Sequence, residues 1–272
     1  MKKIIVSLVV LLTLSFGNTI DKAKAYYEKK DYVSAFNIFE KLASNNDMVA
    51  QNFLGIMYRN GYGVQKDIKQ AVEWYKKAAD QGYANAQSNL GNMYYKGEGV
   101  QKDYKKAVEW YKKAADQGNA NAQTILGNMY YNGEGVQKDI KQAVEWNKKA
   151  ADQGYANAQN FLGNMYETGK GVEKDYKKAV EWYKKAADQG NEGAQFALGG
   201  MYRNGEGVQK DYKQAVEWFK KSANQGNADA QFNLGNMYIY GKGVQKDYKR
   251  AAEWFSLSCN GGFKEACLML KN

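Results

Sequence analysis

Histidine is absent from all 272 residues, and this absence limits the possible chemistry more than any residue that is present. Without histidine the chain cannot build a Ser-His-Asp triad, a histidine general base or a zinc site with histidine ligands. Its two cysteines, Cys259 and Cys267, are too few for a metal site that has no histidine. Carboxylates recur as helix caps or exposed pairs, and none forms a distinct acid/base couple. We therefore expect no catalytic residue, no cofactor and no metal.

Paired glycines recur along the chain, as in Gly97-Glu98-Gly99, and similar loops bind phosphates in other proteins. A phosphate loop follows a β-strand and continues into Gly-Lys-Ser or Gly-Lys-Thr. The paired glycines here have neither neighbour, so turn geometry explains them better than a phosphate site does.

The sequence repeats itself with a step of 36 residues. Six such units run from about Met48 to Phe263 without an insertion. Two residue types keep the step throughout, namely Asp67, Asp103, Asp139, Asp175, Asp211 and Asp247, and Trp74, Trp110, Trp146, Trp182, Trp218 and Trp254. The tryptophans lie at helical spacing from alanines, which favours packing over a ladder of ligand-binding rings.

The unit from Ala84 to Asn119 shows how each repeat is built. Apolar residues at helical spacing predict a first helix over about 84–96, which Gly97 ends. Asp103 is a good N-cap for a second helix. Two helices of this length bury their apolar stripes only by stacking on the next pair. The fold predicted is all-α, an α/α superhelical solenoid of stacked antiparallel helix pairs.

The two ends of the chain differ from the repeats. Residues 1–17 have a basic start, an apolar run and small residues before a cut after Gly17, as a secretory signal peptide does. The alternative, a membrane anchor, needs about 20 apolar residues. Residues 18–47 predict a divergent helix pair that caps the array, 48–263 hold the repeats, and 264–272 predict one capping helix. We expect a periplasmic or extracellular protein with no transmembrane span in its mature form.

The net charge is +10, and removal of Lys2 and Lys3 with the signal peptide leaves 37 − 29 = +8. A basic surface suits nucleic acid, acidic lipid or acidic proteins. Export makes nucleic acid the least suitable of these partners, so we expect no binding of nucleic acid. The alternative is that lysine fills the solvated faces of the helices.

Three motifs recur in order within each unit. In the unit described above they are Ala-Gln-x-x-Leu-Gly-x-Met-Tyr at 86–94, Gly-x-Gly-Val-x-Lys-Asp at 97–103, and Ala-Val-Glu-Trp-Tyr-Lys-Lys-Ala-Ala at 107–115. This pattern resembles the Sel1-like repeat family, and the pair at 18–47 looks more like an ordinary tetratricopeptide unit. The resemblance implies a scaffold or adaptor that binds proteins, and it implies no common reaction.

The two cysteines lie eight residues apart at the C-terminal end, at the positions of Ala79 and Gln87 in the 36-residue register. This resembles the cysteine-rich, secreted branch of the family, in which such pairs staple neighbouring helices. A disulfide between Cys259 and Cys267 is therefore expected in an exported chain, and a pair of packed thiols is the alternative.

Some cysteine-rich relatives are labelled as β-lactamases or penicillin-binding proteins. A serine enzyme of that class needs Ser-x-x-Lys, Ser-Asp-Asn and Lys-Thr-Gly, and the chain has none of these. We expect no such hydrolysis. A third possibility is a protein that binds cell-envelope polymer without catalysis.

A partner is expected on the concave groove, which first helices tend to line in superhelices of this kind. The part of each first helix that is free of packing lies at i, i+4 and i+7. The predicted groove residues are Asn52, Arg59, Ser88, Asn92, Tyr95, Asn128, Tyr131, Asn164, Glu167, Phe196, Arg203, Phe232 and Asn236. The recurring asparagines suit the backbone of an extended peptide, because an amide both donates and accepts hydrogen bonds. We expect a monomer whose partner is a protein or peptide.

Overall fold

The computed structural model describes residues 19–270, and helices are the regular secondary structure of that range. The expected signal peptide, residues 1–17, lies outside the described residues, as do positions 271–272. The chain divides after Lys138 into two compact units. Within each unit, consecutive helices pack against one another, which confirms the all-α solenoid.

Helices of 13 residues recur in both units. Unit 1 contains α1 (19–28), α2 (Tyr32–Ser44), α3 (Met48–Asn60), α4 (Ile68–Asp80), α5 (Ala84–Lys96), α6 (Tyr104–Asp116) and α7 (Ala120–Asn132). Unit 2 contains α8 (Ile140–Asp152), α9 (Ala156–Thr168), α10 (Tyr176–Asp188), α11 (Glu192–Asn204), α12 (Tyr212–Asn224), α13 (Ala228–Tyr240), α14 (Tyr248–Asn260) and α15 (Lys264–Met269). Repeat 1 consists of α3 and α4, repeat 2 of α5 and α6, and so on to repeat 6, which consists of α13 and α14.

Repeat 2 shows why the helices begin and end where they do. The helix predicted over 84–96 is α5, and Gly97 ends it in the left-handed region at φ 74°. The Gly97 N–H donates to the carbonyl oxygen of Met93 at 2.8 Å. Asp103 caps α6, since its Oδ1 accepts from the backbone N–H of Lys106 at 3.0 Å. Both ends are as the sequence predicts.

In repeats 2 and 4 the two helices approach closely because a glycine on the first faces a ring on the second. A Cβ on Gly91 would lie 2.9 Å from the Tyr111 ring, and a Cβ on Gly163 would lie 2.5 Å from the Tyr183 ring. Repeat 3 has Asn147 at the ring position, where it is fully buried and its Nδ2 donates to the carbonyl oxygen of Ala143 at 3.0 Å.

Alanine, leucine and methionine fill the rest of the core. In repeat 2 the side chains of Ala86, Leu90 and Met93 on the first helix are buried, as are those of Ala107 and Ala114 on the second. Across residues 19–270, no helix is long and apolar enough to cross a bilayer.

Candidate functional site

The predicted groove residues form a stripe on each first helix, and its positions i, i+4 and i+7 are called the first, second and third stripe positions. In unit 1 the first positions are closed to solvent, with Asn52 4% and Ser88 3% exposed. The Asn52 Oδ1 accepts from the Asn89 amide at 2.9 Å, and the Ser88 Oγ accepts from the Asn121 amide at 3.2 Å. These side chains bond successive repeats together and are not open to a partner.

In unit 2 the first stripe position is aromatic in repeats 5 and 6. The ring of Phe196 lies 5.8 Å from that of Phe219, between centroids, and the ring of Phe232 lies 4.8 Å from that of Phe263. Both phenylalanines are half-buried. They therefore pack against the core with one part of the ring and leave another part accessible.

In repeats 1 and 2 the third stripe positions reach the Gly-x-Gly loop of the next repeat. Arg59 donates through Nε to Glu98 Oε2 at 3.1 Å, and a second guanidinium nitrogen lies 2.8 Å from the same oxygen. The Tyr95 hydroxyl donates to Glu134 Oε2 at 3.0 Å. Burial raises the pKa of Tyr95, and the hydrogen bond to the Glu134 carboxylate adds to this rise. Arg59 and Tyr95 are thus each hydrogen-bonded to a glutamate of the following loop.

Tyr131, at the third stripe position of repeat 3, has a lysine ammonium group beside its ring. The Lys138 ammonium lies 5.6 Å from the centre of the Tyr131 ring. At this distance a cation is attracted by the negative face of the ring.

In unit 2 the third positions are bonded differently. The Tyr183 hydroxyl donates to Glu167 Oε2 at 2.5 Å. Burial raises the pKa of Tyr183, and the Glu167 carboxylate raises it further. Arg203 donates to the Asn233 side-chain oxygen, and its guanidinium carbon lies 5.8 Å from the centre of the Phe219 ring.

The second stripe positions are the most open. Asn128 and Asn164 are exposed, and Asn236 is half-buried. Asn92 is half-buried too, and its Oδ1 accepts from the Tyr111 hydroxyl at 2.8 Å. In repeat 5 the position is Gly200, and a Cβ built there would have no neighbour within 4 Å.

A ladder of buried glutamines is a structural feature that the sequence-based analysis missed. The Gln87 Nε2 donates to the carbonyl oxygen of Ala79 at 3.2 Å, and its Oε1 accepts from the Gln117 amide at 2.7 Å. Gln195 makes the matching bonds in unit 2, to Ala187 and from Gln225. The sequence contains a signal for this ladder. A glutamine that recurs at the same position in all six units indicates a structural role in every repeat.

A lysine lies on the tryptophan of every repeat from 1 to 5. The ammonium lies between 3.8 and 4.2 Å from the ring centre at Lys77, Lys113, Lys149, Lys185 and Lys221. The tryptophans themselves pack on the core, as Trp110 does on the cluster that contains Tyr75. They are structural residues. The aliphatic stem and the ammonium group of the lysine cover the apolar ring of each tryptophan.

Comparison with protein-family models finds the Sel1 repeat at residues 25–47, 49–83, 84–119, 120–155, 156–191, 193–227 and 228–263. The chain is a Sel1-repeat protein. The seven Sel1 matches include 25–47, the part of the N-terminal pair that we liken above to an ordinary tetratricopeptide unit. No curated protein matches this chain.

Solved structures of Sel1-repeat proteins resemble this one closely. The protective antigen c5321 of uropathogenic Escherichia coli, which displays an SLR fold, is 39% identical over 93% of this chain with a TM-score of 0.85. The chain described here spans only 55% of the length of that antigen. A Sel1 repeat protein from Oxalobacter formigenes is 35% identical, covers 88% of this chain and 96% of its own, and has a TM-score of 0.80.

Proposed function

We propose that this Sel1-repeat protein is an exported scaffold that binds a protein or peptide partner and catalyses no reaction of its own. Two features support export, namely the signal-like residues 1–17 and the disulfide between Cys259 and Cys267. Disulfides persist in oxidising compartments such as the periplasm and the cell exterior. The lack of histidine and of the serine-enzyme motifs supports a role in binding alone.

The observation that carries the proposal is the exposure of amide side chains at the second stripe positions. Asn128 in unit 1 and Asn164 in unit 2 are exposed, whereas the first positions Asn52 and Ser88 are buried between repeats. An exposed amide can donate to one peptide carbonyl and accept from a peptide N–H at the same time. The proposed contact surface therefore keeps the second positions and leaves out Asn52 and Ser88.

Neighbouring stripe residues extend this surface within each unit. In unit 1, Tyr95 and Arg59 are bonded to loop carboxylates and are held in place for a contact at the edge of the stripe. In unit 2, Phe196 and Phe232 offer half-buried rings that suit apolar side chains of a partner. Rigid aromatic groups and arginines of this type contribute most to protein interfaces.

The test is quantitative capture by the immobilised full-length chain from a cell-envelope extract, followed by mass spectrometry. We expect at least one protein whose capture falls about tenfold in the variant that carries Asn128→Ala and Asn164→Ala, which corresponds to about 1.4 kcal/mol. The matched control carries Asn37→Ala and Asn224→Ala, two exposed asparagines on second helices. Its capture should equal that of the wild type.

Two results would contradict the proposal. One is equal capture of every protein by the wild type, the variant and the control. The other is capture of envelope polymer alone, which would favour the non-catalytic polymer-binding alternative. Circular dichroism of each variant establishes that the helices are intact. Hydrolysis of a chromogenic β-lactam at an enzyme-like rate would contradict the statement that the chain catalyses no reaction.

A further inference from the structure

A cavity lies beside the start of the second helix in repeats 2, 4 and 6. The three cavities have volumes of about 360, 380 and 390 Å³ and share one arrangement of lining residues. In repeat 2 the lining residues are Tyr94, Val100, Gln101, Lys102, Asp103 and Lys106. None of them belongs to the stripe, so this surface is separate from the one proposed above.

The residues that line the cavity of repeat 2 carry a formal net charge of +1. The Lys106 ammonium lies 3.7 Å from Asp103 Oδ2 and 5.5 Å from the centre of the Tyr94 ring. The Lys102 ammonium lies 4.6 Å from the centre of the Tyr104 ring. The lining therefore has two lysines and one carboxylate, and that carboxylate already accepts a hydrogen bond from the backbone of α6.

The cavity of repeat 6 has the same charge balance. The Arg250 Nε lies 3.5 Å from Asp247 Oδ2, and its guanidinium donates to the Tyr238 hydroxyl at 3.4 Å. Lys246 supplies the second cation of the lining. The cavity of repeat 4 differs in one residue, because Glu173 stands where repeats 2 and 6 have glutamine. Its lining has two lysines and two carboxylates, so the formal charges of the lining sum to zero.

Near the capping aspartate, glutamine and a cationic residue alternate from one repeat to the next. The third residue of the second helix is Gln70, Lys106, Gln142, Lys178, Gln214 and Arg250 in repeats 1 to 6. The backbone N–H at this position donates to the capping aspartate at 3.0 Å both in Gln70 and in Lys106. Glutamine and lysine thus fit the same backbone, and helix capping does not require the cation in alternate repeats.

We propose that the cavities of repeats 2 and 6 bind the carboxylate side chains of an acidic polypeptide. One excess positive charge in each cavity matches the single negative charge of a carboxylate, whereas a phosphate monoester carries about −1.5 to −2 at neutral pH. Hydrogen bonds from ammonium or guanidinium to carboxylate are among the stronger ones in proteins. The volumes lie near the lower end of those of small-ligand sites, about 300 Å³, and hold a glutamate side chain.

The test uses the full-length chain and a fluorescent glutamate-rich peptide, with binding measured by fluorescence anisotropy at low salt. The variant carries Lys106→Gln and Arg250→Gln, which introduces the residue that repeats 1, 3 and 5 have at this position and so preserves the fold. The control carries Lys112→Gln and Lys220→Gln, two exposed lysines outside the cavities, with the same loss of charge. We expect the cavity variant to bind about tenfold more weakly, and the control to lose less than about twofold.

A gain of binding completes the test. Glu173→Gln introduces the residue that the charged cavities have and leaves one excess positive charge in repeat 4. We expect this variant to bind the peptide more tightly than the wild type. Equal losses in the cavity variant and the control would overturn the proposal in favour of diffuse surface charge. No binding of the glutamate-rich peptide, or binding of a phosphopeptide in its place, would also overturn it. None of these results depends on the stripe, so the two proposals fail separately.

Discussion

Cys267 bonds to Cys259 across the same eight-residue step over which Gln87 donates a hydrogen bond to the carbonyl oxygen of Ala79. The S–S distance is 2.01 Å, and the two Cα atoms lie 4.9 Å apart. In the interior repeats, the glutamine amide ties the start of one first helix to the end of the preceding second helix. At the last junction, between α14 and α15, a covalent bond replaces that amide staple.

Removal of the disulfide should therefore loosen α15 more than the rest of unit 2. The change is Cys259→Ser with Cys267→Ser, and closure of so short a loop contributes about 2–3 kcal/mol in the chain-entropy model. We expect faster amide hydrogen exchange in Lys264–Met269 and a lower thermal midpoint.

The matched control for the disulfide is Cys259→Ala with Cys267→Gln, which rebuilds the staple of the other repeats. A hydrogen bond of this kind contributes about 0.5–1.5 kcal/mol, so this variant should recover part of the loss. The interpretation fails if the serine variant exchanges like the wild type. It also fails if the alanine–glutamine variant exchanges as fast as the serine variant.

Two adjacent glycines on α11 should respond in opposite ways to the same substitution. A Cβ on Gly199 would lie 2.6 Å from the Phe219 ring, whereas a Cβ on Gly200 would meet nothing within 4 Å. Gly199→Ala should therefore lower the free energy of unfolding by about 1–3 kcal/mol, because either α11 or the Phe219 ring must move to make room for the new methyl group. Gly200→Ala should raise stability by up to about 1 kcal/mol, since alanine favours helix more than glycine does.

The glycine pair is checked by urea unfolding followed by circular dichroism. Each variant is the control for the other, because both change one helical glycine of the same helix to alanine. A midpoint that rises for both variants would show that helix propensity or unfolded-state entropy, and not the approach of Phe219, decides the outcome.

The fold could be predicted closely because every repeat signals its own ends. Gly97 permits the left-handed conformation that stops α5, and Asp103 supplies the acceptor that starts α6. The same pair of signals recurs at each step, so an error in one repeat would have been evident from the others. The division after Lys138 has no counterpart in the regular step and was not foreseen.

The candidate site could be predicted only in part, because helical spacing gives a face but not its neighbours. Asn52 and Asn128 belong to the same kind of stripe, yet one is buried and the other is exposed. The first stripe position lies near the start of the helix, where the Asn89 side chain of the next repeat covers Asn52. Periodicity within one helix carries no information about such contacts between repeats.

Acid should weaken the protein through its helix caps. The backbone N–H of Lys106 lowers the pKa of Asp103 below its usual 3.8, and that of Lys178 does the same for Asp175. A carboxyl whose pKa is lowered by folding stabilises the folded state fully above its unfolded pKa. This stabilisation is lost as the pH falls from about 4 through the lower pKa of the folded state.

Asp103→Asn with Asp175→Asn removes these two titrations but keeps an oxygen that can cap the helix. We expect urea midpoints near that of the wild type at pH 7, and a smaller fall than in the wild type between about pH 4 and pH 2. The control is Asp116→Asn with Asp188→Asn, which alters two exposed aspartates at the last positions of α6 and α10. If the control reduces the acid sensitivity as much as the cap variant does, overall charge and not capping causes it.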